Sequence, residues 1–243
     1  MQESIWNGFR RVDFSFMDRA AILVFPNEEN KTDKWLLKTE YFDAFPDLEI
    51  EMVKRGWPLA YVANLTRWCL DEDLDVKKAF AEYVEKGGVV LAVCGGFSML
   101  GKSCVIKDEV TDGLGILDFY TEAKKDRFIG NVIVESNLDG ENVKIAGFEN
   151  HGGLTFIGDL EPFGKVLFGN GNNGEDKKEG VLYNNLIGSY LHGPLLPKNA
   201  KLTDFILSRA LKQKYGEEVK LTKLDDSLED KALEFMLKKC NIN

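Results

Sequence analysis

Gly88-Val89-Val90-Leu91-Ala92-Val93-Cys94-Gly95-Gly96-Phe97 is the stretch on which the fold turns. Five consecutive apolar residues, Val89 to Val93, describe a short strand without the alternation of a half-exposed sheet, as a central parallel strand covered on both faces would. The glycine pair after Cys94 closes the strand, and Phe97, Met99 and Leu100 open a new helical pattern. Upstream, Val76, Phe80, Tyr83 and Val84 recur at helical spacing over Asp75–Lys86, with Gly87 at the C-terminal cap. Helix, strand, tight turn and helix in that order predict an α/β fold.

The strand-to-helix turn also carries the clearest chemistry. A residue at such a corner is held in a strained conformation with its side chain clear of the sheet, which requires small neighbours. Ala92 and Gly96 stand two residues on either side of Cys94. A thiol there meets unpaired backbone N–H groups at a helix start, which favour the thiolate, and the Gly95 amide points where an oxyanion would form. The plain alternative is a small buried core cysteine.

A cysteine nucleophile needs an imidazole to take its proton and later protonate the leaving group. The chain has two histidines. His151, in Gly147-Phe148-Glu149-Asn150-His151-Gly152-Gly153, and His192, in Tyr190-Leu191-His192-Gly193-Pro194, each end a β-like run before a glycine, and spacing does not choose between them. Pro194 stands where an acid two residues after His192 would complete a triad. An acid within Leu224–Glu229, a simple dyad, or an acid from a partner chain would fill that role.

Outward from this centre, Ala20–Phe25 reads as a strand ended by Pro26, and Thr32–Phe45 as a helix stopped by Pro46. Beyond Gly113 the texture turns to glycine-punctuated strands at Arg127–Val134, Val143–Phe148, Lys165–Phe168, Gly180–Leu182 and Leu186–Leu191. Asn184–Asn185 reads as a tight turn. Helices return at Ala200–Leu211 and at Ala232–Lys239, the latter preceded by Asp226 and Glu229 as a capping pair and presenting a solvated Lys/Glu face.

Composition removes several function classes. A net charge of −9 with scattered basic residues disfavours nucleic acid as a partner. The apolar runs are too short to span a membrane, and the polar N-terminus is unlike a signal peptide, which predicts a cytoplasmic chain. Cys69, Cys94, Cys104 and Cys240 lie far apart with no CxxC pair, so they read as free thiols, with no metal expected. Gly169-Asn170-Gly171-Asn172-Asn173-Gly174 satisfies G-x-G-x-x-G, but charged residues and a strand follow it rather than a helix, so it reads as a flexible hairpin loop and not a nucleotide site.

Taken together, Ala92–Phe97, Arg127-Phe128-Ile129-Gly130-Asn131, Gly147–Gly153, Gly169–Asp176 and Tyr190–Asn199 resemble the glutaminase subunits of lipid II isoglutaminyl synthase (the GatD type), relatives of the cobyric acid synthase amidotransferases. The resemblance covers about Asp73 to Asp230. It implies a flavodoxin-like, three-layer α/β glutamine amidotransferase domain with a mixed, mostly parallel central sheet. Residues 1–72 would form a divergent N-terminal part of that domain and residues 73–243 its core with the C-terminal helices. It further implies glutamine hydrolysis through a thioester on Cys94, with His192 as base and Arg127 and Gly95 binding the substrate. An arginine fork suits an α-carboxylate because it can pair with both oxygens. No cofactor is implied in this chain; ATP and Mg would be bound by a Mur-ligase-like partner, MurT, in a heterodimer that amidates D-glutamate of lipid II in peptidoglycan synthesis. Family members carry a Gly-Gly-Gly-Gln-Asp loop before the elbow that supplies a second oxyanion donor, and Met1–Leu70 has no such stretch. A free-standing cysteine amidase and a non-catalytic binding subunit of the same fold are the competing readings.

Overall fold

The computed structural model describes residues 1–16, 18–38, 42–44, 46–63, 74–106 and 109–242. The chain divides into two compact units, Met1–Asp73 and Leu74–Asn243.

The first unit is built on a five-stranded sheet. Strands β1 (Gln2–Trp6), β2 (Phe9–Phe16) and β3 (Arg19–Phe25) form an antiparallel meander. Asn7 and Gly8, both at positive φ, make the two-residue turn that matches the twist of paired strands. β3 then pairs with β5 (Leu59–Val62), which pairs in parallel with β4 (Leu36–Lys38); α1 (Asp47–Lys54) lies between them in sequence. Trp6, Phe9, Ile22, Val24, Phe42, Val53 and Leu59 form the unit's core.

The strand expected at Ala20–Phe25 is present. The helix expected over Thr32–Phe45 is not: Leu36–Lys38 is strand β4, while residues 39–41 and 45 lie outside the described residues. Packing overrides the helical spacing there. Leu36 and Lys38 are half-buried and Leu37 exposed, the two-residue period of a sheet, and Phe42 leaves the segment to stack among Trp6 and Tyr61.

The second unit opens with α2 (Leu74–Glu85), β6 (Val90–Val93) and α3 (Gly95–Met99), as the sequence predicts, and Gly87 takes the positive φ of a helix stop. A two-stranded sheet, β7 (Ser103–Ile106) and β8 (Glu109–Asp112), follows. The long strands β9 (Tyr120–Leu138) and β10 (Glu141–Phe156) form an antiparallel hairpin with an irregularity between His151 and Gly153. β11 (Gly164–Phe168) and the short β12 (Lys178–Glu179) extend that sheet in the order β10-β9-β11-β12. β13 (Val181–Tyr183) and β14 (Leu186–Ser189) turn at Asn184, and β14 pairs in parallel with β6. α4 (Ala200–Tyr215) and α5 (Ser227–Lys239) end the unit. Asp226 makes no side-chain cap on α5; the neighbouring Asp225 carboxylate accepts the Ser227 N–H instead.

The α/β class and the mixed sheets are as expected. Parallel pairing is confined, among the described residues, to β4–β5 and β6–β14, and the remaining pairs are antiparallel. β14 is covered on both faces more completely than β6, whose Leu91 packs on one core and whose Val90 and Ala92 pack on the other. All four β14 residues are buried, Ile187 facing a core with Val132, Val134, Val166 and Leu202, and Leu186 facing a second core with Phe97, Phe119 and Val84. β6 contributes only Ala92 to the fully buried set.

Gly188 is where α3 meets this strand. A Cβ there would lie 2.4 Å from the Phe97 ring and 3.0 Å from Val181. Gly188→Ala is therefore expected to destabilise the protein by about 1–3 kcal/mol through overpacking, read as a lower urea midpoint at unchanged slope.

Candidate active site

The site is assembled where β6 and β14 end side by side. Their parallel register sets Val93 opposite Ser189, so Cys94 follows one strand and Tyr190-Leu191-His192 the other, at the same edge. The Cys94 N–H donates to the Ser189 carbonyl at 2.8 Å. Cys94 has φ 52° and ψ −110°, a conformation that costs a non-glycine residue about 1–3 kcal/mol. Phe97 anchors the far side of the corner. It is fully buried, with ring centroids 5.2 Å from Phe119 and 5.1 Å from Tyr190.

The two glycines of the corner serve access more than packing. A Cβ on Gly95 would meet nothing within 4 Å, and one on Gly96 only the Ala92 methyl at 3.9 Å. The steric demand read from the sequence at Gly96 is thus slight, and the glycines leave the approach to the sulfur open. Burial raises the Cys94 thiol above its ordinary pKa, opposed by the Gly95 backbone hydrogen bond and the Arg127 charge. Desolvation is the largest of these effects, so burial works against the thiolate while the first amide of α3 works for it.

The structure separates the two histidines. His192 is half-buried, its backbone N–H bonds the Phe148 carbonyl at 2.7 Å, and its Nε2 is buried without a hydrogen-bond partner. Burial, then the charges of His151 and Arg127, lower its pKa, so the imidazole rests neutral and able to accept a proton. His151 is fully buried instead. Its ring stacks on Tyr190 at 3.6 Å, Phe128 meets it edge-on, and Nδ1 donates to the Gly153 carbonyl at 2.8 Å. It belongs to the wall behind the site.

Arg127 projects from β9 as an exposed side chain. Its Nε donates to the Asn150 side-chain oxygen at 3.1 Å and a terminal nitrogen to the Asn150 carbonyl at 2.9 Å, which orients the guanidinium. Its charge acts on both Cys94 and His192. The charged groups acting on His192 are His151 and Arg127, and neither is an acid. Asp226, in the segment considered for a third triad member, has Asp204, Glu229, Asp230 and Asp225 as its charged neighbours.

Two buried carboxyls behind the site escaped the sequence reading. Glu149 accepts the Asn170 N–H and side-chain amide with one oxygen and the Gly171 N–H with the other. Asn172 in turn bonds both the N–H and the carbonyl of Gly180. The loop 169–174, buried at Gly171, Asn172 and Asn173, is therefore a fastened element and not the flexible hairpin expected from its composition. Glu179, fully buried, accepts the Ser189 hydroxyl and the Tyr190 N–H, each at 2.8 Å. The usable signal was a glutamate on either side of an Asn/Gly run, since buried backbone amides in such a loop need acceptors.

Residues 66–200 match the CobB/CobQ-like glutamine amidotransferase domain. The chain belongs to this family. It is 44% identical over 167 residues to the lipid II isoglutaminyl synthase (glutamine-hydrolysing) subunit GatD of Staphylococcus aureus, covering 68% of this chain and 67% of that protein. Against the subunit of the same name from Streptococcus pneumoniae it is 42% identical, covering 67% of this chain and 64% of that protein. The alignments thus span about two thirds of these relatives' lengths. A solved glutamine amidotransferase from Thermotoga maritima aligns with TM-score 0.38 and 16% identity, over 86% of this chain and 93% of that one. The family match spans the Cys94 corner, the β9–β10 hairpin and the His192 strand end of this amidotransferase. Among the described residues no helix is long and apolar enough to cross a membrane.

Burial pushes the Glu179 carboxyl up to about 7, the Ser189 and Tyr190 donors opposing it. A folded-state pKa above the unfolded value means that the group stabilises the amidotransferase below about 4.5 and that this contribution is lost as pH rises through about 7. Glu179→Gln removes the titration. The variant is expected to gain stability relative to the parent between pH 5 and pH 8, by on the order of 3 kcal/mol, in paired urea unfolding curves.

Proposed function

We propose that this chain is the glutaminase subunit of a lipid II isoglutaminyl synthase. The Cys94 sulfur attacks the carboxamide carbon of glutamine while His192 Nε2 takes the thiol proton. The imidazolium then gives that proton to the departing nitrogen, ammonia leaves, and a thioester remains on Cys94. Water, deprotonated by the same imidazole, attacks the thioester, releasing glutamate and restoring the thiol. The Gly95 N–H, beside the sulfur, is a donor to the oxyanion of each tetrahedral step. Arg127, held by Asn150, receives the α-carboxylate of the substrate.

The observation that carries this reading is the joined strand-end corner: a cysteine at positive φ, its amide bonded to Ser189, three residues from a histidine whose buried Nε2 has no hydrogen-bond partner and is free to take a proton. The names of its relatives supply the acceptor. Ammonia passes to a Mur-ligase-like, MurT-type partner, which uses ATP and Mg to amidate the D-glutamate of the lipid II stem peptide. A neutral acceptor histidine with no acid of its own is compatible with a dyad or with an acid contributed by that partner. The reaction and the partner place the chain in the cytoplasm.

Cys94→Ala is expected to abolish ammonia release from glutamine, measured by coupled glutamate or ammonia assay with the ligase partner present; release at the parental rate would refute the nucleophile. Arg127→Ala should raise the KM for glutamine about 10- to 100-fold, the loss of a charge-assisted pair, with a smaller change in kcat. Asn150→Ala should move KM in the same direction by less, because the guanidinium remains but is no longer oriented. An unchanged KM in both variants would remove the carboxylate-binding role.

A further inference from the structure

Glu179 is a fully buried carboxyl that the proposed reaction does not use, and its contacts converge on the chain between nucleophile and base. β14 ends at Ser189, and Tyr190 continues past the last ladder pair with an amide that is buried and needs an acceptor. One oxygen of Glu179 supplies it, at 2.8 Å, and takes the Ser189 hydroxyl as well. The same Ser189 bonds Cys94 through its carbonyl at 2.8 Å and the Leu191 N–H through its hydroxyl oxygen at 3.0 Å. The shortest path from Cys94 to His192 is therefore Ser189, Tyr190 and Leu191, and Glu179 grips two of those three residues.

We propose that Glu179 is a positioning residue that fixes the spacing between the Cys94 thiol and the His192 imidazole through the hydrogen bonds it accepts from Ser189 and Tyr190. The inference rests on the glutaminase reading and deepens it. The neighbouring groups fix the rest of the segment: Tyr190 is clamped between the rings of Phe97 and His151, its hydroxyl meets Thr155 at 2.7 Å, and the His192 amide is held by Phe148. Removing Glu179 leaves the segment's first two residues without their acceptor and lets the histidine drift relative to the sulfur. A buried carboxyl is a poor device for stability, and burial already pushes this one toward its neutral form. What it supplies is an acceptor oxygen in a fixed place, which a carboxamide supplies equally.

The test compares the complete chain, with its ligase partner, as wild type, Glu179→Ala, Glu179→Gln and Ser189→Ala. Steady-state glutamine hydrolysis gives kcat and KM, and the rate of Cys94 alkylation by iodoacetamide across pH gives a readout independent of glutamine. Glu179→Ala should lose about 10- to 100-fold in kcat with KM within about twofold, the cost of misplacing reacting groups by a fraction of an ångström to an ångström. Glu179→Gln should stay within about threefold of wild type, and Ser189→Ala, which keeps the Tyr190 bond, should lose about 3- to 10-fold in kcat. A folded Glu179→Ala protein with wild-type kcat, a Gln variant as impaired as the Ala variant, or a loss carried by KM overturns the proposal. Should Glu179→Ala not fold, an unchanged kcat in Ser189→Ala overturns it instead. If wild type releases no ammonia, the glutaminase reading falls alone: slower alkylation in both His192→Ala and Glu179→Ala would still uphold the positioning role, and unchanged alkylation would end it.

Discussion

The hydrogen bond from the Cys94 amide to the Ser189 carbonyl extends the parallel β6–β14 pairing by one residue past the end of β6, and the geometry of the site depends on it. Parallel pairing requires two strands that run the same way and end at the same edge, so whatever follows each strand is brought to one place. Here one strand is followed by a sulfur and the other, three residues on, by an imidazole. The pairing brings the chain that follows each strand, 98 positions apart in sequence, to one edge of the sheet. It also explains the positive φ at Cys94: the residue must both complete the ladder and start α3, and no ordinary conformation does both.

Holding that corner takes polar groups in the interior. Ser189, Thr155, Thr121, Glu149, His151 and Glu179 are all buried behind it. Thr121 and Thr155 share a hydrogen bond at 2.9 Å, Thr155 continues to Tyr190, and Tyr190 lies flat on His151. Such networks are costly when a member lacks a partner, and the partnered ones here outnumber the exceptions, His151 Nε2 and Glu179 Oε2. A purely apolar filling would pack β10 against β14 with less penalty, but apolar contacts are non-directional and would leave the end of β14 free to slide. Directional bonds to a strand that has run out of ladder partners are what hold His192 in line.

Where the sequence was readable, the local signal and the tertiary environment agreed. α2, the β6-to-α3 corner and the glycine-punctuated strands emerged because periodicity, caps and burial all pointed one way. Thr32–Phe45 failed because apolar residues at helical spacing were recruited singly: Phe42 into the core of the first unit, Leu36 into an edge strand. The choice between His151 and His192 was invisible locally, since in sequence both read as the end of a β-like run before a glycine. What favours His192 in the fold is that its strand, β14, neighbours β6, a long-range fact with no trace in spacing. Glu179 was passed over for a related reason. In Asp176-Lys177-Lys178-Glu179 it looks like one more solvated charge, and only the antiparallel pairing of β12 with β11 turns it inward.

Electrostatics sets how the proposed proton transfer begins. Burial raises the thiol and lowers the imidazole, and both shifts oppose the separated ion pair. Arg127 splits the effect, favouring thiolate while disfavouring imidazolium. Both directions favour an uncharged thiol and an uncharged imidazole, groups less reactive toward chance electrophiles than a preformed thiolate. In the proposed reaction, the α-carboxylate of glutamine on the guanidinium would offset the charge that disfavours imidazolium and so make His192 the better base when a substrate carbon is present. The thiolate would lose part of its support in the same step, so the proton would move as the carbon–sulfur bond forms. On that reading the exposed arginine links binding to activation.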